Sequence, residues 1–305
     1  MNGRTRERGS LFRNGKSILK KFAVVLLAAA AGAAVSEQVR AGDKPSGEGT
    51  RYDVRRDLVY SKARKGLLAN VYVPRGAGPF PAVITIHGGS WARGDRRRMK
   101  NIAVRLADAG FTTVNIEYSL TPKHTFPTPL HDVKAAVRWL KVNARSFKTS
   151  PDRIGVFGYS AGAHLALLAG LTSPRDGLEG RVRRGDPDSR IKAVVAGAAP
   201  TDLRRFPAVG AIRRLIGGGK HKHARKYKLA SPITHVSSDD PPVFLFHGRG
   251  DWVVPVHQSR RMAGALKKAG VPFVLREIPR GHATAKVFNY HTMTAAIAFL
   301  KKRLK

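Results

Sequence analysis

Ser160 stands in Gly158-Tyr159-Ser160-Ala161-Gly162, and this short stretch carries the clearest chemistry in the chain. A neutral hydroxyl is a poor nucleophile. It becomes a strong one when a histidine takes its proton and a carboxylate holds that histidine. Ser160 directly follows the apolar run Ile154–Phe157 and directly precedes the small-residue stretch Ala161–Leu171. Glycines on both sides permit a cramped turn from strand to helix that projects the serine. A helix N-terminus beneath it favours negative charge.

The carboxylate is expected after a later strand. Asp251 follows Val243–Phe246 in His247-Gly248-Arg249-Gly250-Asp251. Asp202, Asp239 and Asp240 are rivals, but Asp251 follows the strand better placed to reach a histidine. Of eleven histidines, His282 alone lies just past the last strand, in Arg280-Gly281-His282-Ala283. His291 falls inside the final helix. The chain order is therefore Ser160, Asp251, His282.

Acyl transfer also needs backbone N–H groups aimed at the developing oxyanion. Ala161, next after the nucleophile, offers one. His87-Gly88-Gly89-Ser90-Trp91 follows an early strand and offers another, with Gly89 preferred and Gly88 second. His87 reads as a loop-ordering residue. Trp91 and Tyr159 are expected at the substrate pocket. His164, four residues after the serine, is expected to pack on the helix. Asp132 reads as a structural acid near a helix start. His221-Lys222-His223 lacks neighbouring carboxylates and reads as a solvated loop, so no metal site is expected.

These residues need a frame that puts them at one end of a sheet. Val54–Ser61, Leu67–Pro74, Pro81–His87, Thr112–Tyr118, Arg153–Tyr159, Ile191–Ala199, Pro242–His247 and Pro272–Ile278 read as strands. Asn101–Ala109, Leu130–Phe147, Ala161–Leu171, Gln258–Ala269 and Thr284–Leu304 read as helices between them. Such alternation predicts an α/β fold: a mostly parallel eight-stranded sheet with helices on both faces. Ser173–Arg190 breaks the rhythm as a surface loop. Residues 203–240 break it as a small lid insertion, with a short helix, a Gly217-Gly218-Gly219 hinge and a basic tract.

Residues 1–21 hold seven Lys/Arg against one acid, and Phe22–Val35 is apolar. Val39-Arg40-Ala41 then precedes Gly42. That order predicts a cleaved secretory signal over 1–41, a linker over 42–50, and one domain over 51–305 in a secreted or periplasmic protein. The apolar run is short for a membrane span. The chain has no cysteine, which excludes disulfides and a thiol nucleophile. Its net charge is +36, and the leader accounts for only six of that. Such a surface attracts polyanions non-specifically. No nucleic-acid motif accompanies the charge, so specific nucleic-acid binding is not expected.

Taken together, the motifs resemble the esterase/lipase branch of the α/β-hydrolase superfamily, the BD-FAE-like and kynurenine-formamidase-like proteins. The likeness spans residues 52–303. It rests on His87-Gly88-Gly89-Ser90-Trp91 with Gly94-Asp95, on Tyr118-Ser119-Leu120, and on Asp132 through Leu140. It continues through Gly158 to Ala166, His247-Gly248 to Asp251, Val254-Pro255 and Gly281-His282. Ser90 departs from the third glycine common in lipase-like relatives, and Ser119 from the arginine common after the tyrosine. The resemblance implies a Ser160–Asp251–His282 triad, oxyanion donors at Gly88, Gly89 and Ala161, and no cofactor. The branch covers many esters, so the resemblance does not fix the substrate; the expectation is a carboxylesterase acting on short-chain acyl or aryl esters, with acetyl or feruloyl esters of plant polysaccharide among the candidates. An amidase or peptidase on the same triad is the alternative within the enzymes. A polyanion-binding protein on a hydrolase scaffold is the alternative outside them.

Overall fold

The central strands are unbroken apolar runs, and burial on both faces is the reason. In the computed structural model, which describes residues 51–62, 66–206, 209–283 and 290–305, β3 (Phe80–Ile86), β4 (Thr112–Ile116), β6 (Ala193–Gly197) and β7 (Val243–Gly248) are almost wholly buried. The flanking β1 (Tyr52–Ser61) and β8 (Phe273–Ile278) alternate between covered and exposed positions, as edge strands do. With β2 (Leu67–Pro74) and β5 (Thr149–Tyr159) they form one eight-stranded sheet in the order β1-β2-β4-β3-β5-β6-β7-β8. β1 and β2 run antiparallel to their neighbours, and all pairs from β4 to β8 are parallel. The expected signal segment 1–41 and linker 42–50 lie outside the described residues.

The side-chain period of two sorts each strand between two cores. Ile84, Val156, Val194 and Leu245 point to one face, packed with α2 (Thr128–Val142), α3 (Ala161–Leu171) and α6 (His257–Lys268). Val83, Phe157, Val195 and Phe244 point to the other, packed with α1 (Lys100–Asp108) and α7 (Tyr290–Arg303). Helix α3 is apolar all round, and ten of its eleven residues are buried. This suits the innermost helix, wedged behind β5.

Element ends differ from expectation for local reasons. α2 stops at Val142, where Asn143 turns its side-chain amide back to the Trp139 carbonyl at 2.8 Å. β6 stops at Gly197 because Ala198 takes a left-handed φ of 50°. Part of the expected final helix, 284–289, lies outside the described residues.

The two irregular stretches are both anchored. Glu179, in the 173–190 loop, is drawn onto α2 by Lys134 and by Arg138 at 3.0 Å. Residues 203–240 contain α4 (Gly210–Ile216), α5 (Ala224–Leu229) and a single turn at Pro232–Thr234. Gly217, expected within a hinge, instead ends α4. At φ 88° both its N–H and that of Gly218 reach the Arg213 carbonyl at 2.9 Å, a left-handed helix stop.

Candidate active site

β5 ends at Tyr159 and α3 begins at Ala161, so Ser160 must reverse the chain by itself. Its φ of 54° and ψ of −122° lie outside the ordinary regions for a side-chain-bearing residue. Two glycines make the turn sterically feasible. A Cβ on Gly158 would sit 2.2 Å from the Gly162 carbonyl oxygen, and one on Gly162 would sit 2.1 Å from the Ile86 carbonyl oxygen. Both are far inside van der Waals contact. The Ser160 N–H is tied to the Gly197 carbonyl of β6 at 2.8 Å.

The loops after β7 and β8 are pressed together beside this turn. A Cβ on Gly248 would lie 2.2 Å from the Arg280 carbonyl oxygen, so only glycine allows the approach. Arg249 and Gly250 donate to the Ile278 and Arg280 carbonyls at 2.8 and 3.1 Å, zipping the two loops. The result brings Asp251, His282 and Ser160 together. His282 Nδ1 lies 2.6 Å from Asp251 Oδ2, and His282 Nε2 lies 3.0 Å from Ser160 Oγ. A carboxylate only accepts, so Nδ1–H donates to Asp251. Nε2 is then bare and receives the Ser160 hydroxyl proton.

The Asp251 carboxylate is fully covered, whereas the His282 side chain stays 17% exposed toward the cleft. Burial pushes the Asp251 carboxyl up. Hydrogen bonds from His247 and His282, with the Val254 N–H, outweigh that and hold it at about 2. Its second oxygen accepts from the Val253 and Val254 amides at 3.0 and 2.8 Å. His247, to which the sequence reading gave no role, is buried behind it. Its Nε2 faces the Val254 carbonyl at 2.7 Å and Asp251 Oδ2 at 3.3 Å, and so carries the proton. Its Nδ1 accepts from the Ser259 hydroxyl at 2.7 Å. The signal was present as the first residue of His247-Gly248-x-x-Asp251.

The glycine loop after β3 closes over the serine. A Cβ on Gly88 would lie 2.9 Å from the Tyr159 carbonyl oxygen and 3.2 Å from Ser160 Cβ. Gly89 has φ 123° and its carbonyl accepts from Ala92 and Arg93. Ser90 and Trp91 follow at φ 54° and 57°. His87 stacks on Tyr118, and the Tyr118 hydroxyl donates to the His87 carbonyl at 3.1 Å. His87 thus orders the loop, as expected. The N–H of Ala161, first in α3, has no partner within the helix.

A cavity of about 60 Å³ opens at Ser160. Trp91, Phe206, Val209, Ile212, Val253 and Val254 are among its walls, and among the described residues no charged side chain lines it. Trp91 therefore lines the cavity at Ser160. Tyr159 is not among its walls. As the last residue of β5 it points to the opposite sheet face, where its ring packs on Phe246 and His282 and its hydroxyl donates to the His282 carbonyl. α4 from the 203–240 stretch turns Ile212 into this cavity, while Arg213 and Arg214 face solvent.

The rival acids are occupied elsewhere. Asp202 is buried and held by Arg204 and Arg261 at 2.8 and 2.9 Å. Asp239 and Asp240 hold the Ser237 turn. Asp132 lies beyond the first turn of α2, where its carboxylate accepts the Ser119 N–H at 2.8 Å. It pins the loop after β4 rather than complementing the helix dipole. His291 is exposed.

Comparison with known proteins gives the same fold. A truncated carbohydrate esterase from gut microbiota superposes with a TM-score of 0.77 at 26% identity, over 86% of this chain and 99% of that one. An acetyl ester-xyloside bifunctional hydrolase from Caldicellulosiruptor lactoaceticus gives 0.71 at 25% identity, over 84% and 98%. In sequence, the chain is 34% identical over 213 residues to a probable carboxylic ester hydrolase, LipM, of Mycobacterium tuberculosis, covering 66% of this chain and 48% of that one. It is 35% identical over 228 residues to a versiconal hemiacetal acetate esterase of Dothistroma septosporum, covering 68% and 67%. The chain spans about half the length of its mycobacterial relatives. The BD-FAE family model matches residues 69–266, from β2 through α6, and so the chain, α/β-hydrolase in fold, belongs to the BD-FAE family.

Proposed function

We propose that the chain is a serine carboxylesterase for short acyl esters, with Ser160, His282 and Asp251 as its triad. The reading rests above all on His282, whose two ring nitrogens lie 3.0 Å from Ser160 Oγ and 2.6 Å from Asp251 Oδ2. Ser160 Oγ attacks the ester carbonyl as His282 Nε2 takes its proton. Asp251 keeps Nδ1–H in place and stabilises the imidazolium. The tetrahedral oxyanion is met by the Ala161 amide and by the amide of Gly89 or Gly88. His282 returns the proton to the departing alkoxide, leaving an acyl group on Ser160. Water, deprotonated by His282, then releases the acid and regenerates the serine.

The cavity size supports short acyl groups. A cavity of only about 60 Å³ at the nucleophile favours small acyl groups over long chains. Its uncharged lining favours a neutral acyl part. Carbohydrate esterases among the structural relatives favour sugar-linked acetyl esters as the natural class. Ser160→Ala is expected to lower kcat on p-nitrophenyl acetate by at least about 10⁴-fold. Equal rates in the two proteins would end this assignment.

Export through residues 1–41 belongs to the same reading, and its support is the basic, apolar, cleavable order of that segment. Expressed from a secreting host, the mature protein should begin at Gly42. An intact N-terminus in the cell interior would reject export.

A further inference from the structure

We propose that His164 is a positioning residue that holds the oxyanion loop against the nucleophile through Trp91. The proposal rests on the esterase reading above and extends it to a side chain outside the triad. The loop it concerns is strained. Ser90 and Trp91 both carry side chains and both sit at left-handed φ, 54° and 57°. Such a residue persists only where its surroundings over-determine it. The loop therefore needs an anchor besides its own backbone turns at Gly89.

Trp91 supplies that anchor. Its indole Nε1–H reaches His164 Nδ1 at 3.2 Å, and the two rings meet edge to face at 5.0 Å. His164 lies on α3 one turn beyond the nucleophile, and its own N–H donates to the Ser160 carbonyl at 3.0 Å. On its far side, His164 Nε2 faces the Ala230 carbonyl at 2.7 Å, at the base of the 203–240 stretch. Indole N–H only donates and a carbonyl only accepts. One neutral tautomer, protonated at Nε2 and bare at Nδ1, satisfies both partners. A protonated imidazole would set Nδ1–H against the indole N–H and break the link. Full burial favours the neutral ring and lowers its pKa to about 4, so the tautomer persists through neutral pH.

The bond connects the two sources of oxyanion donors. The Gly88-Gly89 amides belong to the Trp91 loop, and the Ala161 amide belongs to the His164 helix. Fixing Trp91 on His164 fixes the spacing of these donors. An ångström of misplacement at such a site costs up to about 100-fold in rate.

The test uses the full chain and two single variants, Trp91→Phe and His164→Leu, with their double variant. With wild type hydrolysing p-nitrophenyl acetate through Ser160, each single variant is expected to lower kcat about 10- to 100-fold. In His164→Leu, which changes no wall of the cavity, KM should stay within about threefold. The double variant should fall no further than the weaker single, since both remove one link. The Trp91 indole N–H, identified by its loss in Trp91→Phe, should resist solvent exchange in wild type and exchange freely in His164→Leu. Should wild type turn over through Ser160 while both variants keep kcat within twofold, or should their losses multiply in the double variant, the positioning role is overturned and the esterase reading stands. A wild type without Ser160-dependent turnover would remove both.

Discussion

Asp251 carries more hydrogen bonds than a carboxylate needs merely to hold one histidine. It accepts from His282, from His247 and from two backbone amides of its own loop. That surplus keeps it ionised despite burial, at about 2 against an ordinary 3.8. A depressed carboxyl pKa stabilises the fold above the unfolded value, and that contribution is lost as pH falls from about 4 toward 2, roughly 2 kcal/mol in all. Asp251→Asn should therefore show a stability deficit at pH 7, in urea unfolding, that narrows below pH 4. It should also lower kcat about 10³- to 10⁴-fold, because an amide no longer fixes the Nδ1–H tautomer. A variant with full kcat would show that His282 needs no carboxylate. Ser160, Asp251 and His282, which the structure brings within hydrogen-bond distance of one another, were legible in the sequence because each follows a readable strand. His247 and His164 were less so: their roles depend on which ring nitrogen faces which partner across 12 to 73 residues of chain.

At the scale of elements, the site is the meeting of loops at the carboxyl ends of β3, β5, β7 and β8. Parallel register aligns those ends, Ile86 beside Gly158 and Gly248 beside Ile278. Periodicity gave the central strands because their runs are buried on both faces, the edge strands β1 and β8 through alternation, and the helices other than α3 through one apolar stripe each, with α3 legible instead as an unbroken small and apolar run. It did not give the helix stop at Gly217, nor α5, whose apolar contacts are too few to imprint a period. Nor did it reveal that the 173–190 loop is stapled to α2. There Lys134 is fully buried, and Glu179 is its counter-charge together with that of Arg138. Burial pushes the Lys134 ammonium pKa down, and the two cations hold the Glu179 carboxyl below its usual range. Glu179→Gln leaves a buried cation unmatched and is expected to cost about 3 kcal/mol in denaturant unfolding. A loss under about 0.5 kcal/mol would mean that the loop carries no such staple.

For the molecule as a whole, the excess of positive charge stands apart from the cavity at Ser160 among the described residues. The chain has 56 Lys and Arg against 20 Asp and Glu. Between Leu203 and Ser238 there are nine Lys and Arg and no acid, yet the side of this stretch that meets Ser160 is Phe206, Val209 and Ile212. The mechanism proposed above passes through a covalent acyl intermediate on Ser160. That intermediate is open to direct capture. The protein is mixed with p-nitrophenyl acetate, quenched in acid during the first turnovers, digested and read by mass spectrometry. The peptide holding Gly158 to Gly162 should gain one acetyl group, on Ser160, and the Ser160→Ala protein should gain none there and release no burst of nitrophenol. An acetyl group carried by another residue, or a full burst from Ser160→Ala, would contradict the account.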